Sequence, residues 1–142
     1  MNDDFFAEFD VMFAELARRA RPGRFEPNTD VYVSEDGNTI VVNVEIAGAE
    51  PTELRVMVEE RNLYIVGRRY DRQRAGRGSV LLKEIDYGDF VKKLHLPIAV
   101  DYDEASASYR DGILTIRLPV SEHALPPTRR TEIRMTVRRI PA

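Results

Sequence analysis

The chain has 142 residues, 43% hydrophobic and 32% charged, with a formal net charge of −3, which as a prior is one globular domain with arms to spare and excludes a disordered polyelectrolyte. With no cysteine, disulfides, cysteine-zinc sites, thiol nucleophiles and thiol redox switches are excluded, and the weak net charge supplies no long-range field to draw the chain onto nucleic acid or anionic lipid. The longest apolar runs, such as Val80-Leu81-Leu82, are too short to span a bilayer, and Met1-Asn2-Asp3-Asp4 lacks the basic start of an export signal, so a soluble chain in a reducing cytoplasm is expected.

The first twenty residues stand apart. Phe5, Phe6, Phe9 and Phe13 put four of the chain's six phenylalanines there. Phe5, Phe9, Met12, Phe13 and Leu16 recur at the three- and four-residue steps of a helix, with Asp3, Asp4 and Glu8 early and Arg18, Arg19 and Arg21 late, as the helix dipole favours. This spacing predicts an amphipathic helix from about Asp4 to Ala20, ended by Pro22-Gly23. Burying one phenylalanine side chain is worth about 1.5 to 3 kcal/mol, so the arm needs partners, and other polypeptides are expected in preference to its own domain, on which it would pack as an ordinary cap.

From Asp30 the period changes to two. Ile40, Val42, Val44 and Ile46 alternate with Val41, Asn43 and Glu45 between the turn Glu35-Asp36-Gly37-Asn38 and the breakers Gly48 and Pro51, which predicts a half-buried strand. Leu54, Val56 and Val58 repeat the pattern, and Glu60-Arg61-Asn62 turns the chain into Leu63, Ile65 and Gly67, so these two runs form a hairpin. Further strands are expected at Phe90 to Leu96, Ala105 to Arg110 and Ile113 to Leu118, the last two joined by the hairpin signal Asp111-Gly112. Short strands separated by turns, with no helix between them, predict an antiparallel β-sandwich.

Two segments exceed a minimal sandwich. The connection from Tyr70 to Tyr87 is polar and Arg/Gly-rich, then abruptly apolar at Val80-Leu81-Leu82, and loops of that length usually serve a function. In the tail from Ser121, Pro126-Pro127 forces extended backbone, and Ile133, Met135 and Val137 then alternate with Arg134, Thr136 and Arg138. Such a peptide suits either a final strand of the same domain or β-augmentation of an exposed sheet edge, and the prolines and arginines favour a detached tether.

Catalytic readings find little support. His95 and His123 are the only histidines, and a zinc site without cysteine would need both of them plus carboxylates, at positions the strand map separates. Asp101, Asp103 and Glu104 lack calcium-loop spacing and are expected to form an acidic turn. Gly76-x-Gly78 has no strand-glycine-helix context and no following Gly-Lys-Ser/Thr, and no Gly-x-Ser-x-Gly is present, so nucleotide hydrolysis and serine-hydrolase chemistry have no candidate residues. No catalytic role, metal or cofactor is expected.

Ala107-Ser108-Tyr109-Arg110-Asp111-Gly112-Ile113-Leu114 resembles the A-x-x-x-(N/D)-G-(V/I)-L signature of the small heat shock proteins, the α-crystallin family. Gly88-Asp89-Phe90 with Leu94-His95-Leu96-Pro97 resembles that family's G-x-F-x-R-x-F-x-L-P strand, and Ile46-Ala47-Gly48 stands where Leu-Pro-Gly is usual. Lys92 replaces the usual arginine, keeping charge but losing bidentate geometry. Ile133-Arg134-Met135 resembles the C-terminal I-x-I/V anchor, with a flexible methionine as its second residue.

The resemblance implies an all-β, immunoglobulin-like sandwich of the bacterial and plant α-crystallin type over residues 30–120, preceded by a helical arm and linker over 1–29 and followed by an extension over 121–142. It implies a strand-exchanged dimer, in which Val80 to Glu84, with Val80, Leu81 and Leu82, pairs with the neighbour's Asp30 to Ser34, with Val31, Tyr32 and Val33. It further implies that Ile133 and Met135 anchor a higher oligomer in a groove lined by Val56, Val58, Ala105 and Ala107. The implied activity is an ATP-independent holdase, in which Phe5, Phe6, Phe9, Met12, Phe13 and Leu16 contact partly unfolded clients and an ATP-driven refolding machine takes over afterwards. The competing reading is an adaptor like the CS-domain co-chaperones, which share a similar sandwich but are not expected to carry the inserted loop strand or the I-x-I-like tail.

Overall fold

Among the described residues nine strands form two sheets: β1 (Thr29–Val33), β2 (Thr39–Glu45), β3 (Arg55–Glu59), β4 (Asn62–Arg69), β5 (Gly88–His95), β6 (Ser106–Arg110), β7 (Ile113–Pro119), β8 (Arg130–Ile133) and β9 (Met135–Val137). The computed structural model describes residues 25–71, 78–121 and 130–137, together with Ala7, Asp10, Val11, Phe13 and Ala14, whose backbone is helical. The predicted arm positions Phe5, Phe6, Phe9, Met12 and Leu16, and also His123, lie outside the described residues.

One sheet has the order β1-β2-β7-β6-β9 and the other β5-β4-β3-β8. Every pairing is antiparallel except the parallel β6–β9 contact. The two-residue period explains which side chains meet between the sheets: Ile40, Val42 and Val44 from β2, Val56 and Val58 from β3, Leu63 and Ile65 from β4, and Leu114, Ile116 and Leu118 from β7 share one buried cluster with Phe90 and Tyr109. A smaller cluster lies on the outer face of the second sheet, where Met57 and Val66 are buried beneath Phe13, Tyr64 and Val91.

Local chemistry sets the corners. Asp111 and Gly112 both have positive φ, 54° and 78°, the conformation a two-residue hairpin requires. A Cβ on Gly112 would also lie 2.9 Å from the Ala47 methyl, so the hairpin sits directly against the Ile46-Ala47-Gly48 turn. Beside it the Tyr109 hydroxyl donates to the Ile46 carbonyl at 2.7 Å, in a buried position. Burial holds the Tyr109 phenol above its ordinary pKa. Gly67 answers a different need: a Cβ there would meet Phe90 Cζ at 2.6 Å and Leu54 Cδ2 at 2.7 Å, so its bareness is what lets the Phe90 ring lie across β4.

The tail departs from the detached tether expected for it. β8 pairs with β3, and one residue later β9 pairs with β6, so the segment stitches the two sheets together at the side of the sandwich. Both β3 and β6 would otherwise be edges with unpaired N–H and C=O groups beside apolar side chains. A chain continuing from the same domain is the nearest strand available to cover them.

Candidate interaction surfaces

The first surface is the edge of β1 and the apolar loop. Among the described residues β1 pairs with β2 alone, and Val31, Tyr32 and Val33 are 47%, 49% and 47% exposed. A strand with both faces and one edge open is a template for pairing with another chain. Among its described residues the loop carries no strand, and Val80, Leu81, Leu82 and Ile85 are 57%, 99%, 77% and 60% exposed. Its apolar character is therefore unsatisfied within the molecule.

The root of that loop is held by Arg69, at the end of β4. Its Nε donates to the Asp86 carbonyl at 2.9 Å, Nη2 donates to the same oxygen, and Nη1 reaches the Ala47 carbonyl at 3.2 Å. The guanidinium lies over Phe25, 4.2 Å from the ring centroid, and faces Tyr87 at 5.5 Å, so one cation joins the linker, the Ala47 turn and the loop base. Lys83 reinforces this arrangement through the Tyr87 ring at 4.7 Å and the Ile85 carbonyl at 3.2 Å. Sequence reasoning missed Arg69, because a basic residue ending a strand carries no mark of what it will reach.

The second surface is the side groove. Ile133 stands opposite Val56 and Thr131 opposite Val58 on β3, while Met135 stands opposite Ala107 on β6. Ile133 is 4% exposed, and Val56, Val58 and Ala107 are 2%, 0% and 5% exposed. Met135 and Ala105 are partly buried and pack on the same core. The structure thus brings the predicted anchor and the predicted groove residues together, within one chain.

The third surface lies on the outer face of the second sheet. Phe13 of the arm packs edge-on against Tyr64, with centroids 5.4 Å apart and planes at 90°, over Met57 and Val66. Arg130 of β8 grips the arm from the side, donating from Nη1 and Nη2 to the two carboxylate oxygens of Asp10 at 3.0 and 2.6 Å. Its Nε lies 2.6 Å from Glu59 Oε2, and Nη2 lies 3.3 Å from Met57 Sδ. The Asp10 carboxylate, then Glu59, hold the Arg130 guanidinium protonated still more firmly than usual. Contrary to the expectation that other polypeptides cover it, part of the arm therefore rests on its own sandwich, because the outer face of the second sheet offers Met57 and Val66 to Phe13, whereas Val11 is 68% exposed.

Three polar residues singled out in the sequence have local partners. Lys92, in place of the arginine the resemblance leads one to expect, forms an ion pair with Glu26 of the linker at 3.0 Å. Asp101 accepts the Asp103 N–H at 3.0 Å and caps the turn Tyr102–Glu104. His95 is exposed, with Nδ1 3.4 Å from Asn62 Oδ1. Among the described residues no three His, Cys, Asp or Glu side chains converge as a metal site, and no helix is long and apolar enough to cross a membrane.

Comparison with known proteins places this architecture. The profile described as Hsp20/alpha crystallin family matches residues 32–137. The "18 kDa heat shock protein" of Streptomyces albus G is 29% identical over 126 residues, covering 87% of this chain and 86% of that protein. The "Alpha-crystallin" of Mycobacterium tuberculosis is 30% identical over 129 residues, covering 90% and 76%. Among solved structures, hspA from Xanthomonas axonopodis superposes with a TM-score of 0.63 at 26% identity, over 72% of this chain and 100% of that one.

Proposed function

Because the chain belongs to the Hsp20/alpha crystallin family, we propose that it acts as an ATP-independent holdase in the cytoplasm, keeping partly unfolded proteins from aggregating until an ATP-driven refolding chaperone receives them. The observation that carries this reading is the side groove: two sheet edges lined by Val56, Val58 and Ala107, filled by the short strands β8 and β9, whose anchors are Ile133 and Met135. Backbone pairing is indifferent to sequence and the slot asks only for apolar side chains, so a groove vacated by the tail accepts an extended segment of many different unfolded chains. The phenylalanine-rich arm supplies further apolar contact through Phe5, Phe6, Phe9, Met12, Phe13 and Leu16.

Self-assembly uses the same surfaces. Exposed Val80, Leu81 and Leu82 add as a strand to the open edge of a neighbour's β1 beside Val31, Tyr32 and Val33, giving a dimer by exchange. Ile133 and Met135 swap into a neighbour's groove to build a larger oligomer, since the same contacts form in either chain and protein concentration then decides between them. Heating or dilution that empties grooves makes surface available to clients.

The test is suppression of heat-induced aggregation of unrelated proteins by the full chain. Replacing Phe5, Phe6, Phe9 and Phe13 by serine should abolish suppression while circular dichroism still reports an intact sandwich. A parent protein that suppresses nothing, under conditions where its own assembly dissociates, refutes the holdase reading.

A further inference from the structure

The arm and the tail, which open and close the chain, meet at one side chain. Asp10 and Arg130 are 120 positions apart in sequence, yet they share two hydrogen bonds at 2.6 and 3.0 Å. Arg130 is the first residue of β8, the strand that ends in Ile133 inside the groove. Asp10 lies one helical turn from Phe13, whose ring covers Met57 and Val66 on the outer face of the same sheet. The inner face of β3 thus carries the groove residues Val56 and Val58, and its outer face carries Met57. One strand separates the two apolar sites.

We infer that Arg130 makes these two sites a single latch: a sandwich whose groove holds a tail also holds its arm down over Met57, Tyr64, Val66 and Val91, and a sandwich whose groove is empty releases its arm. Arg130 travels with the tail. When the tail swaps to a neighbour, the guanidinium meets that neighbour's Asp10 and Glu59, so each arm is governed by the occupant of the groove beneath it. A client segment in the groove brings no guanidinium at this position, so it frees the arm for contact with the rest of the client. Side-chain exposure of 26% for Arg130 and 62% for Asp10 makes the link partly screened by water, which keeps it weak enough to open.

The coupling rests on the reading of the tail as an exchangeable strand, and its test reads arm and assembly separately. The chain contains no tryptophan, so Phe13→Trp in the full-length protein places a single reporter over Met57 and Tyr64. Its emission should be that of a buried indole. Adding Ile133→Ser with Met135→Ser should move it part of the way toward that of an indole in water, through the rise of about twofold to fivefold in released arm that an exposed ion pair allows. Asp10→Lys should shift it by the same amount, and combining the two should add nothing. By reciprocity, Asp10→Lys in the chain that keeps Phe13 should speed amide exchange at Thr131 and Ile133 by about twofold to fivefold, the range an exposed ion pair allows. Emission that stays blue when the tail is disabled, emission that is red in the parent, or exchange at β8 indifferent to Asp10→Lys would each overturn the latch. Aggregation suppression and assembly mass measured on the same samples tell its failure from that of the holdase reading, because a responsive arm with no suppression leaves the latch standing and removes the function.

Discussion

Ile133→Ala distinguishes a docked, exchangeable strand from an integral one. Ile133 is 4% exposed and lies opposite Val56, so truncating it forfeits about 2 to 3 kcal/mol of apolar burial. β8 and β9 contribute only four and three residues to their sheets, and ordering each residue's backbone costs about 1 to 2 kcal/mol, so the net free energy holding the tail is small. A loss of that size raises the population of the open tail by roughly 30- to 150-fold, at tenfold per 1.4 kcal/mol, until the tail is mostly undocked. After that point further damage costs the sandwich nothing. Thermal unfolding should therefore saturate: Ile133→Ala, the double variant with Met135→Ala and a chain ending at Arg129 should share one lowered Tm, with a shift of about 4 °C per kcal/mol of tail stability. Leu114→Ala, which opens a cavity beneath a 0% exposed side chain, should fall well below that plateau. If the three tail variants lose stability additively, with the truncation as damaging as Leu114→Ala, then β8 and β9 are permanent parts of the sandwich and the exchange reasoning fails.

Four further perturbations bear on the rest. Tyr109→Phe removes the 2.7 Å bond to the Ile46 carbonyl and should cost about 1 to 2 kcal/mol at neutral pH in denaturant titration; since burial raises this phenol above its ordinary value of 10.0, its neutral form contributes stability that is present below pH 10.0 and lost as pH climbs through the folded-state value, so the gap between parent and variant should narrow in alkali. Gly67→Ala forces a methyl to within 2.6 Å of the Phe90 ring and should lower stability by about 1 to 3 kcal/mol in the same titration. Leu81→Asp, at a 99% exposed position, should shift unfolding of the single domain by no more than about 0.5 kcal/mol while light scattering reports a smaller assembly; an unchanged mass would refute strand exchange through the loop. Arg69→Ala releases the Asp86 and Ala47 carbonyls and the Phe25 ring, so amide exchange over residues 78–87 should rise while that of β7 stays unchanged.

Much of this was written locally. Strand alternation in Ile40 to Ile46 and in Leu63 to Gly67, and the hairpin at Asp111-Gly112, need only neighbours in sequence for their logic, and the strands lie within a residue or two of where the pattern put them. The same local record carried the likeness to the Hsp20/alpha crystallin family, whose most specific stretch, Ala107 to Leu114, is the β6–β7 hairpin itself. It also marked Val80-Leu81-Leu82 as apolar residues without cover, a property of composition alone.

The tertiary structure decided what depends on residues far apart in the chain meeting in space. Whether Ile133 lies in its own groove or hangs free turns on the unpaired edges of β3 and β6, which exist only once both sheets have formed. Arg69 became the post of the loop, and Arg130 the link to Asp10, because a guanidinium binds whatever carboxylate, carbonyl or ring the fold brings within its reach. Periodicity states which face of a strand is apolar; which partner covers that face is settled by the packing of the whole chain.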